Sequence, residues 1–139
     1  MVTRLNPYIS FRDTAREAIE FYHSVFGGEL TISTFGDFGM SENPADADKI
    51  MHSMLETPNG LTLMASDTPP GMDYKPGTNI SVSLSGEDEA ELRGYWDKLS
   101  AGGTVTVPFE KAPWGDTFGM CLDKFGVQWM VDAVGKPQG

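Results

Sequence analysis

Apolar and polar residues alternate in several short segments of this chain, and two longer segments repeat apolar residues at helical spacing. In residues 6–11 every second residue, beginning with Pro7, is apolar, which predicts a half-buried strand. Residues 15–26 predict an amphipathic helix. The apolar face of that helix comprises Ala15, Ala18, Ile19, Tyr22 and Phe26.

The predicted first helix has a start signal and a stop signal. Thr14 and Glu17 are predicted to form a capping box, in which the hydroxyl and the carboxylate each satisfy a free backbone N–H. Gly27 and Gly28 end the helix, because glycine accepts the left-handed conformation of a helix stop. The helix is therefore predicted to begin near Asp13 or Thr14.

Three further strands complete the first half of the chain. They are predicted at residues 29–35, 49–56 and 61–66, and the turn Thr57-Pro58-Asn59-Gly60 joins the last two. The loop 36–48 is rich in Gly, Asp, Asn and Pro, and we predict that it is mobile.

The second half of the chain repeats the first. A predicted strand at Asn79–Leu84 corresponds to the strand that starts at Asn6, the Tyr95-Trp96 pair to Phe21-Tyr22, and Gly102-Gly103 to Gly27-Gly28. Asp88 begins the second helix. Strands are then predicted at residues 104–107, 118–122 and 127–134, with a loop at 109–115. The final hairpin, around Asp123-Lys124-Phe125-Gly126, repeats the earlier hairpin around Thr57–Gly60. Each half therefore reads as β-α-β-β-β, a unit too long for a solenoid repeat.

These elements predict a single α+β domain over residues 1–139. Module one spans about 4–67, a proline-rich linker about 68–77, and module two about 78–134. One βαβββ unit cannot cover both faces of its own sheet. We therefore expect the two pseudo-repeated modules to form a curled mixed sheet around a central cleft, with the helices outside.

Composition narrows the possible partners and the compartment. The formal net charge is −10, which argues against nucleic acid or an anionic membrane as a partner. The single cysteine, Cys121, excludes an intramolecular disulfide and is compatible with a reducing compartment. The segment Met1–Leu5 runs directly into the first strand without an apolar leader, so we expect a cytoplasmic protein.

Several of these features together resemble a known superfamily. The chain resembles the vicinal oxygen chelate (glyoxalase/bleomycin-resistance/dioxygenase) superfamily. The resemblance lies in the paired βαβββ modules, in Phe21-Tyr22 in the first helix, in the Gly-Gly after it and in Asp123-Lys124-Phe125-Gly126 before the last strand. The similarity to its PhnB-like branch, sometimes labelled 3-demethylubiquinone methyltransferase-like, lies in Asn6-Pro7-Tyr8, residues 15–22, Met51-His52, Trp114-Gly115-Asp116 and residues 125–129. The resemblance implies the fold and a homodimer. It does not choose among isomerases, dioxygenases, thiol transferases and binding proteins.

The resemblance also implies where a metal ion would be bound. Metal-dependent members of the family take one ligand from the first strand and one from the last strand of each module, usually His or Glu. The corresponding residues here are Asn6, Met64, Asn79 and Met130. Two amides and two thioethers are poor ligands for a hard or borderline divalent ion, so we predict no metal and no other cofactor at this site.

The predicted cleft face is polar but uncharged, with thioethers and one aromatic ring. Pairing around the Thr57–Gly60 turn is predicted to place Ser53 opposite Met64, with His52 turned away. Trp114 and Asp116 lie on a glycine-flanked loop that could close over the cleft, as could residues 40–48. Cys121 is expected to be a small buried thiol. The ligand-binding prediction comprises Asn6, Tyr8, Ser53, Met64, Asn79, Ser81, Trp114, Cys121, Gln128 and Met130.

Three functions remain open from the sequence. The first is a metal-free protein that holds a small, partly aromatic or hydrophobic organic molecule. The second is an enzyme of the same superfamily, of the lyase, isomerase or dioxygenase type, with His52, Asp116 or a metal ion carrying the chemistry. The third is a structural dimer whose cleft binds nothing.

Overall fold

The computed structural model describes residues 3–41 and 43–135. The strands and helices run in chain order as β1 (Tyr8–Phe11), α1 (Ala15–Phe26), β2 (Glu29–Thr34), β3 (Ile50–Glu56), β4 (Thr62–Asp67), β5 (Val82–Gly86), α2 (Glu89–Ser100), β6 (Thr104–Lys111), β7 (Thr117–Leu122) and β8 (Gln128–Ala133). Short 3-10 turns at Gly36–Phe38 and Pro44–Asp46 lie between β2 and β3. The order β-α-β-β-β occurs twice, so the predicted α+β class and the duplicated modules are confirmed.

The chain divides into two compact units, Met1–Pro76 and Gly77–Gly139, which we call module one and module two. Module one contains a four-stranded sheet in the order β1-β4-β3-β2, and module two a four-stranded sheet in the order β5-β8-β7-β6. In each sheet the first strand is parallel to the last strand of its module, and the other pairs are antiparallel. The boundary between the modules falls after Pro76, so the predicted linker at about 68–77 lies almost wholly within module one. The Arg12 guanidinium holds this segment to the rest of module one by donating to the Met72 carbonyl at 3.1 Å.

Each helix covers one face of the sheet in its own module. The buried face of α1 comprises Ala15, Ala18, Ile19, Tyr22 and Val25. The prediction placed Phe26 on this face; Val25 is buried there instead, and Phe26 is only half-buried. In module two, α2 buries Leu92, Trp96 and Leu99. Because side chains alternate between faces, every second residue of each strand points to the opposite, helix-free face.

The start of α1 is stabilised by a residue distant in sequence. Within the described residues the Thr14 side chain makes no capping hydrogen bond, so the predicted capping box is wrong. The buried Asp67 carboxylate accepts instead from the backbone N–H of Ala15 at 3.0 Å and from that of Ile50 at 2.9 Å. Asp67 therefore ties the end of β4 to the first turn of α1 and to the start of β3. In α2, Asp88 accepts from the Glu91 N–H at 3.1 Å, as an ordinary N-cap does.

The repeated glycines mark a close approach of backbone in each module. A Cβ atom on Gly28 would collide with the carbonyl of Glu56, at the end of β3. A Cβ atom on Gly103 would collide with the carbonyl of Leu122, at the end of β7. The second glycine of each Gly-Gly pair is thus required where the chain passes from helix to strand.

Several strand boundaries differ from the predictions. β1 and β5 begin at Tyr8 and Val82, later than predicted, and β6 continues to Lys111 instead of ending at Val107. β6 continues past Pro108 because it is an edge strand with two register shifts, where the missing N–H of proline is tolerated.

The loop 36–48 between β2 and β3 is anchored at its carboxyl end. Lys49 forms ion pairs with Asp13 at 2.8 Å and with Asp46 at 2.7 Å, and the Arg16 guanidinium donates to the Asp48 carbonyl at 3.1 Å. These contacts fix the end of the loop against the start of α1. Among the described residues, no helix combines the length and the apolar character that crossing a membrane requires.

Candidate functional site

The register between β3 and β4 decides which residues share the helix-free face of module one. Met54, and not Ser53, lies opposite Met64. The predicted register is wrong by one residue because Thr57 pairs with Leu61, with an N–H···O distance of 3.0 Å, around a loop that includes Gly60 at a φ of 90°. Ser53 therefore faces the helix, where it is fully buried and donates its hydroxyl to the Ala65 carbonyl at 2.6 Å.

The same register brings His52 onto the helix-free face, contrary to the prediction. The rings of His52 and Tyr8 lie 5.9 Å apart between centroids, at an interplanar angle of 48°. Tyr8 belongs to β1 and His52 to β3, and β4 lies between these strands, so the two rings meet above β4. Tyr8 keeps 48% of its surface exposed and is available to a ligand.

Asn6 lies just ahead of the first strand. The carbonyl of the next residue, Pro7, accepts from the Met64 N–H at 3.1 Å, and Tyr8 is the strand residue beside Met64. Asn6 is half-buried and precedes the paired residues of β1. The structure therefore places Tyr8, rather than Asn6, next to Met64.

Module two repeats this arrangement with different side chains. Met120 lies opposite Met130, and Ser83 lies beside Met130 in the parallel pair. Gln128 points to the same face as Met130, and its amide donates to the Ile80 carbonyl at 3.3 Å. The two predicted ligand residues Gln128 and Met130 thus share the helix-free face of module two.

Cys121 faces the helix and not the helix-free face, on which the prediction had placed it. It pairs with the buried Trp129 and is only 2% exposed. Burial raises the pKa of the Cys121 thiol to about 11, and the negative charge of Asp123 adds to the increase. The sulfur is a packed core group, as the thiol prediction expected.

Asn79 and Ser81 precede β5 and lie outside the paired residues. Asn79 is exposed, and Ser81 is half-buried. The residue equivalent to Tyr8 in module two is Ser83, because each lies beside the methionine of the neighbouring strand. When the two halves of the sequence are aligned at Asn6 and Asn79, Tyr8 corresponds to Ser81. When they are aligned at their Gly-Gly pairs, Tyr8 corresponds to Ser83, as in the structure.

The aligned positions form one line of side chains across each helix-free face, which we call the methionine row. In module one the row consists of Tyr8, Met64, Met54 and Thr31. In module two it consists of Ser83, Met130, Met120 and Val107. All four methionines are half-buried. The rows combine flexible thioethers with a phenol in one module and a hydroxyl in the other, which suits contact with a small organic molecule.

Trp114 and Asp116 lie on the turn between β6 and β7. The ring of Trp114, 64% exposed, meets the ring of Phe118 edge-on at 5.7 Å, and Phe118 shares the helix-free face with its strand partner Asp132. Asp116 accepts from the Gly135 N–H at 2.8 Å. The turn is thus tied to the segment that follows β8, and its exposed indole lies against Phe118 on the helix-free face.

The carboxyl of Asp132 is held in an unusual environment. Its Oδ1 atom is buried, and within the described residues no donor satisfies it. Burial raises the pKa of Asp132, and the hydrogen bond with Asp116 and the charge of Asp116 raise it further. Asp132 therefore favours the protonated form more than an ordinary aspartate does.

The residues at the four predicted metal positions do not fit a divalent ion. Asn6 and Met64 offer an amide and a thioether in module one, and Asn79 and Met130 offer the same pair in module two. Hard and borderline divalent ions select carboxylate and imidazole ligands instead. In the part of the chain that the structure describes, no group of three or more His, Cys, Asp or Glu side chains is arranged to hold a metal ion.

Comparison with known proteins identifies the family. The model of the Glyoxalase/Bleomycin resistance protein/Dioxygenase superfamily matches residues 4–131, and the chain belongs to this superfamily. It is 28% identical to protein YjdN of Escherichia coli K12 over 94% of this chain and 95% of that protein.

Two solved structures extend the comparison. The crystal structure of protein PA1353 from Pseudomonas aeruginosa is 39% identical, with a TM-score of 0.79, over 94% of this chain and 97% of that chain. The Bacillus cereus PhnB protein, described as a putative 3-demethylubiquinone-9 3-methyltransferase, has a TM-score of 0.74 at 24% identity, over 93% of this chain and 98% of that chain, which shows a shared fold.

Proposed function

We propose that this protein binds a small organic molecule against the helix-free sheet faces, and that it does so without a divalent metal ion. The observation that carries the proposal is the methionine row of each module. The row places adaptable thioethers beside a phenol in module one and a hydroxyl in module two, at the level where metal-dependent relatives would need imidazole or carboxylate. Superfamily membership supports a small ligand.

The exposed rings support a ligand that is partly aromatic or hydrophobic. Tyr8 and Trp114 are exposed by 48% and 64%, and each lies next to half-buried thioethers or an aromatic ring of its own module. Such rings offer large apolar area with few rotatable bonds. In module two, Gln128 and Ser83 add hydrogen-bonding groups that would orient a ligand bound on that face.

An enzyme of the same superfamily is the second candidate, and two observations favour it. His52 lies on the helix-free face of module one, where an imidazole can accept a proton from a bound molecule. In module two, Asp132 has a raised pKa beside Asp116, the property of a carboxyl that can act as a general acid. The reaction would be of the lyase, isomerase or dioxygenase type.

A thermal-shift screen of metabolites, antibiotics and divalent metals tests the proposal. We expect organic compounds to raise the unfolding temperature in the presence of EDTA. Met64→Glu should abolish the shift of a compound bound in module one, and Met130→Glu that of a compound bound in module two, because each places charge in a methionine row. Ser24→Glu, on the exposed side of α1, should keep the shift. A shift that requires a divalent metal, or turnover that His52→Ala or Asp132→Asn abolishes, would favour the enzyme.

We further propose that the protein forms a homodimer and is located in the cytoplasm. The homodimer is supported by resemblance to the superfamily, and the location by the single buried cysteine. Light scattering on the purified protein would test the first, because a dimer has twice the 15.2 kDa mass of the chain.

A further inference from the structure

The methionine row of module one contains a donor set for a soft cation. Met54 and Met64 lie directly opposite each other on β3 and β4. Directly opposed residues have Cβ atoms about 4.5–5.5 Å apart, a spacing from which two flexible thioethers can reach one ion. Both residues are half-buried, so neither methionine is fully exposed or sealed in the core.

His52 supplies a third donor on the same face. It is two residues from Met54 along β3 and diagonal to Met64, a relation in which Cβ atoms lie about 7–8 Å apart and long or aromatic side chains still meet. The contact with Tyr8, at 5.9 Å between ring centroids, draws the imidazole over β4, which is the strand of Met64. The imidazole and the two thioethers therefore converge on one region of the sheet.

We propose that Met54, Met64 and His52 bind a single soft monovalent cation, of the Cu(I) or Ag(I) class. Thioether sulfur selects Cu(I), and imidazole is compatible with it, whereas divalent Mg, Ca and Mn prefer oxygen ligands. The site goes beyond the binding of an organic molecule. It lies within module one and shares only Met64 with the four positions at which the family resemblance implies a divalent metal.

Module two provides an internal comparison. Met120 and Met130 form the same opposed pair, but the position equivalent to His52 carries Phe118, and the position equivalent to Tyr8 carries Ser83. Module two thus has two thioethers without the imidazole. If the third donor matters, the ion binds in module one and only weakly in module two.

The experiment is a titration of the purified protein with Ag(I), which needs no reductant, followed by Cu(I) under anaerobic conditions in competition with bicinchoninate. It is carried out in a Cys121→Ala background, because a cysteine sulfur would also bind these ions. We expect one ion per chain. Met54→Leu and Met64→Leu, which nearly conserve volume, should each weaken binding about tenfold or more. His52→Phe, which copies module two, should weaken it comparably.

The matched controls are Met120→Leu and Met130→Leu, which should leave the affinity unchanged. A second readout keeps the proposal testable should a variant unfold: in the methyl NMR spectrum of the Cys121→Ala protein, Ag(I) should shift the signals of Met54 and Met64. Loss of all binding in the Cys121→Ala background would overturn the site. So would equal weakening by the module-two variants, or shifts confined to other methionines. These outcomes are independent of the organic-ligand screen in EDTA.

Discussion

Met54 lies directly across the β3–β4 ladder from Met64, and this pairing determines the chemistry of module one's helix-free face. It turns Ser53 toward the helix and His52 toward the face that carries Tyr8. A shift of one residue in the register would exchange these two sets completely. The pair recurs in module two as Met120 and Met130, so each module has two opposed thioethers at equivalent positions of its own sheet.

Asp67 is predicted to be a major determinant of the stability of module one. Its buried carboxylate accepts from the N–H groups of Ala15 and Ile50, so Asp67→Ala leaves two donors unsatisfied and should lower the free energy of unfolding by roughly 2–4 kcal/mol. Thr14→Ala should change it by less than about 0.5 kcal/mol, because the Thr14 side chain makes no capping bond within the described part of the chain. Urea unfolding of both variants measures the difference. Equal losses would show that Thr14 caps the helix after all.

The repeated helix-to-strand glycines should not tolerate a side chain. Gly28→Ala and Gly103→Ala would each drive a Cβ atom into a strand carbonyl, and we expect a loss of roughly 3 kcal/mol or more, or failure to fold. Gly94 lies within α2, and a Cβ atom there would meet none of the described residues within 4 Å. Gly94→Ala should therefore stabilise the protein by about 0.5–1 kcal/mol. Thermal unfolding compares the three variants, and a tolerated Gly28→Ala would contradict the packing described.

Cys121 should be inert in the folded protein and should make stability depend on alkaline pH. Its pKa is raised from 9.0 to about 11, so between these values the unfolded chain releases a proton that the folded chain retains. The free energy of unfolding should therefore fall as the pH rises through this window. Cys121→Ala should remove that component of the slope. Iodoacetamide should label the native thiol at pH 8 far more slowly than the unfolded chain, and rapid native labelling would refute the assignment.

Asp132 should be destabilising at neutral pH. Its raised pKa means that, above the ordinary value of 3.8, the unfolded state releases a proton that the folded state tends to retain, so this residue's contribution to stability falls as the pH rises. Asp132→Asn removes the charge and keeps a donor for Asp116. It should raise the unfolding temperature more at pH 7 than at pH 3. Glu20→Gln, on the exposed side of α1, removes one charge without burial and should show a smaller difference. A pH-independent effect of Asp132→Asn would contradict the environment described.

The fold was predictable from local patterns, and the sheet faces were only partly so. Two βαβββ modules were predictable because each pattern behind them has a local physical cause. These patterns are the alternation in residues 6–11, the apolar face of α1 and the repeated Gly-Gly pairs. Register was not predictable from them. It depends on the loop after Thr57, where one extra residue before Leu61 moves Ser53 to the helix side and His52 to the opposite side.

Contacts between distant residues were also invisible in the sequence. Asp67 caps a helix that begins 52 residues earlier, and no local motif announces this. The pKa of Asp132 is raised by burial and by Asp116, which lies 16 residues earlier on the turn between β6 and β7. Six predicted ligand residues lie on strands, and four of them lie on the helix-free face of their module: Tyr8, Met64, Gln128 and Met130. Ser53 and Cys121 face the helix instead.

The central claim is that the methionine rows bind an organic molecule without help from a divalent metal ion. The most direct test measures the unfolding temperature against a compound library in EDTA, for the wild type, Met64→Glu and Met130→Glu. We predict that at least one class of partly aromatic compounds stabilises the wild type and loses its effect in at least one of the two variants. Stabilisation that appears only after a divalent metal is restored, or that survives both substitutions, would contradict the claim.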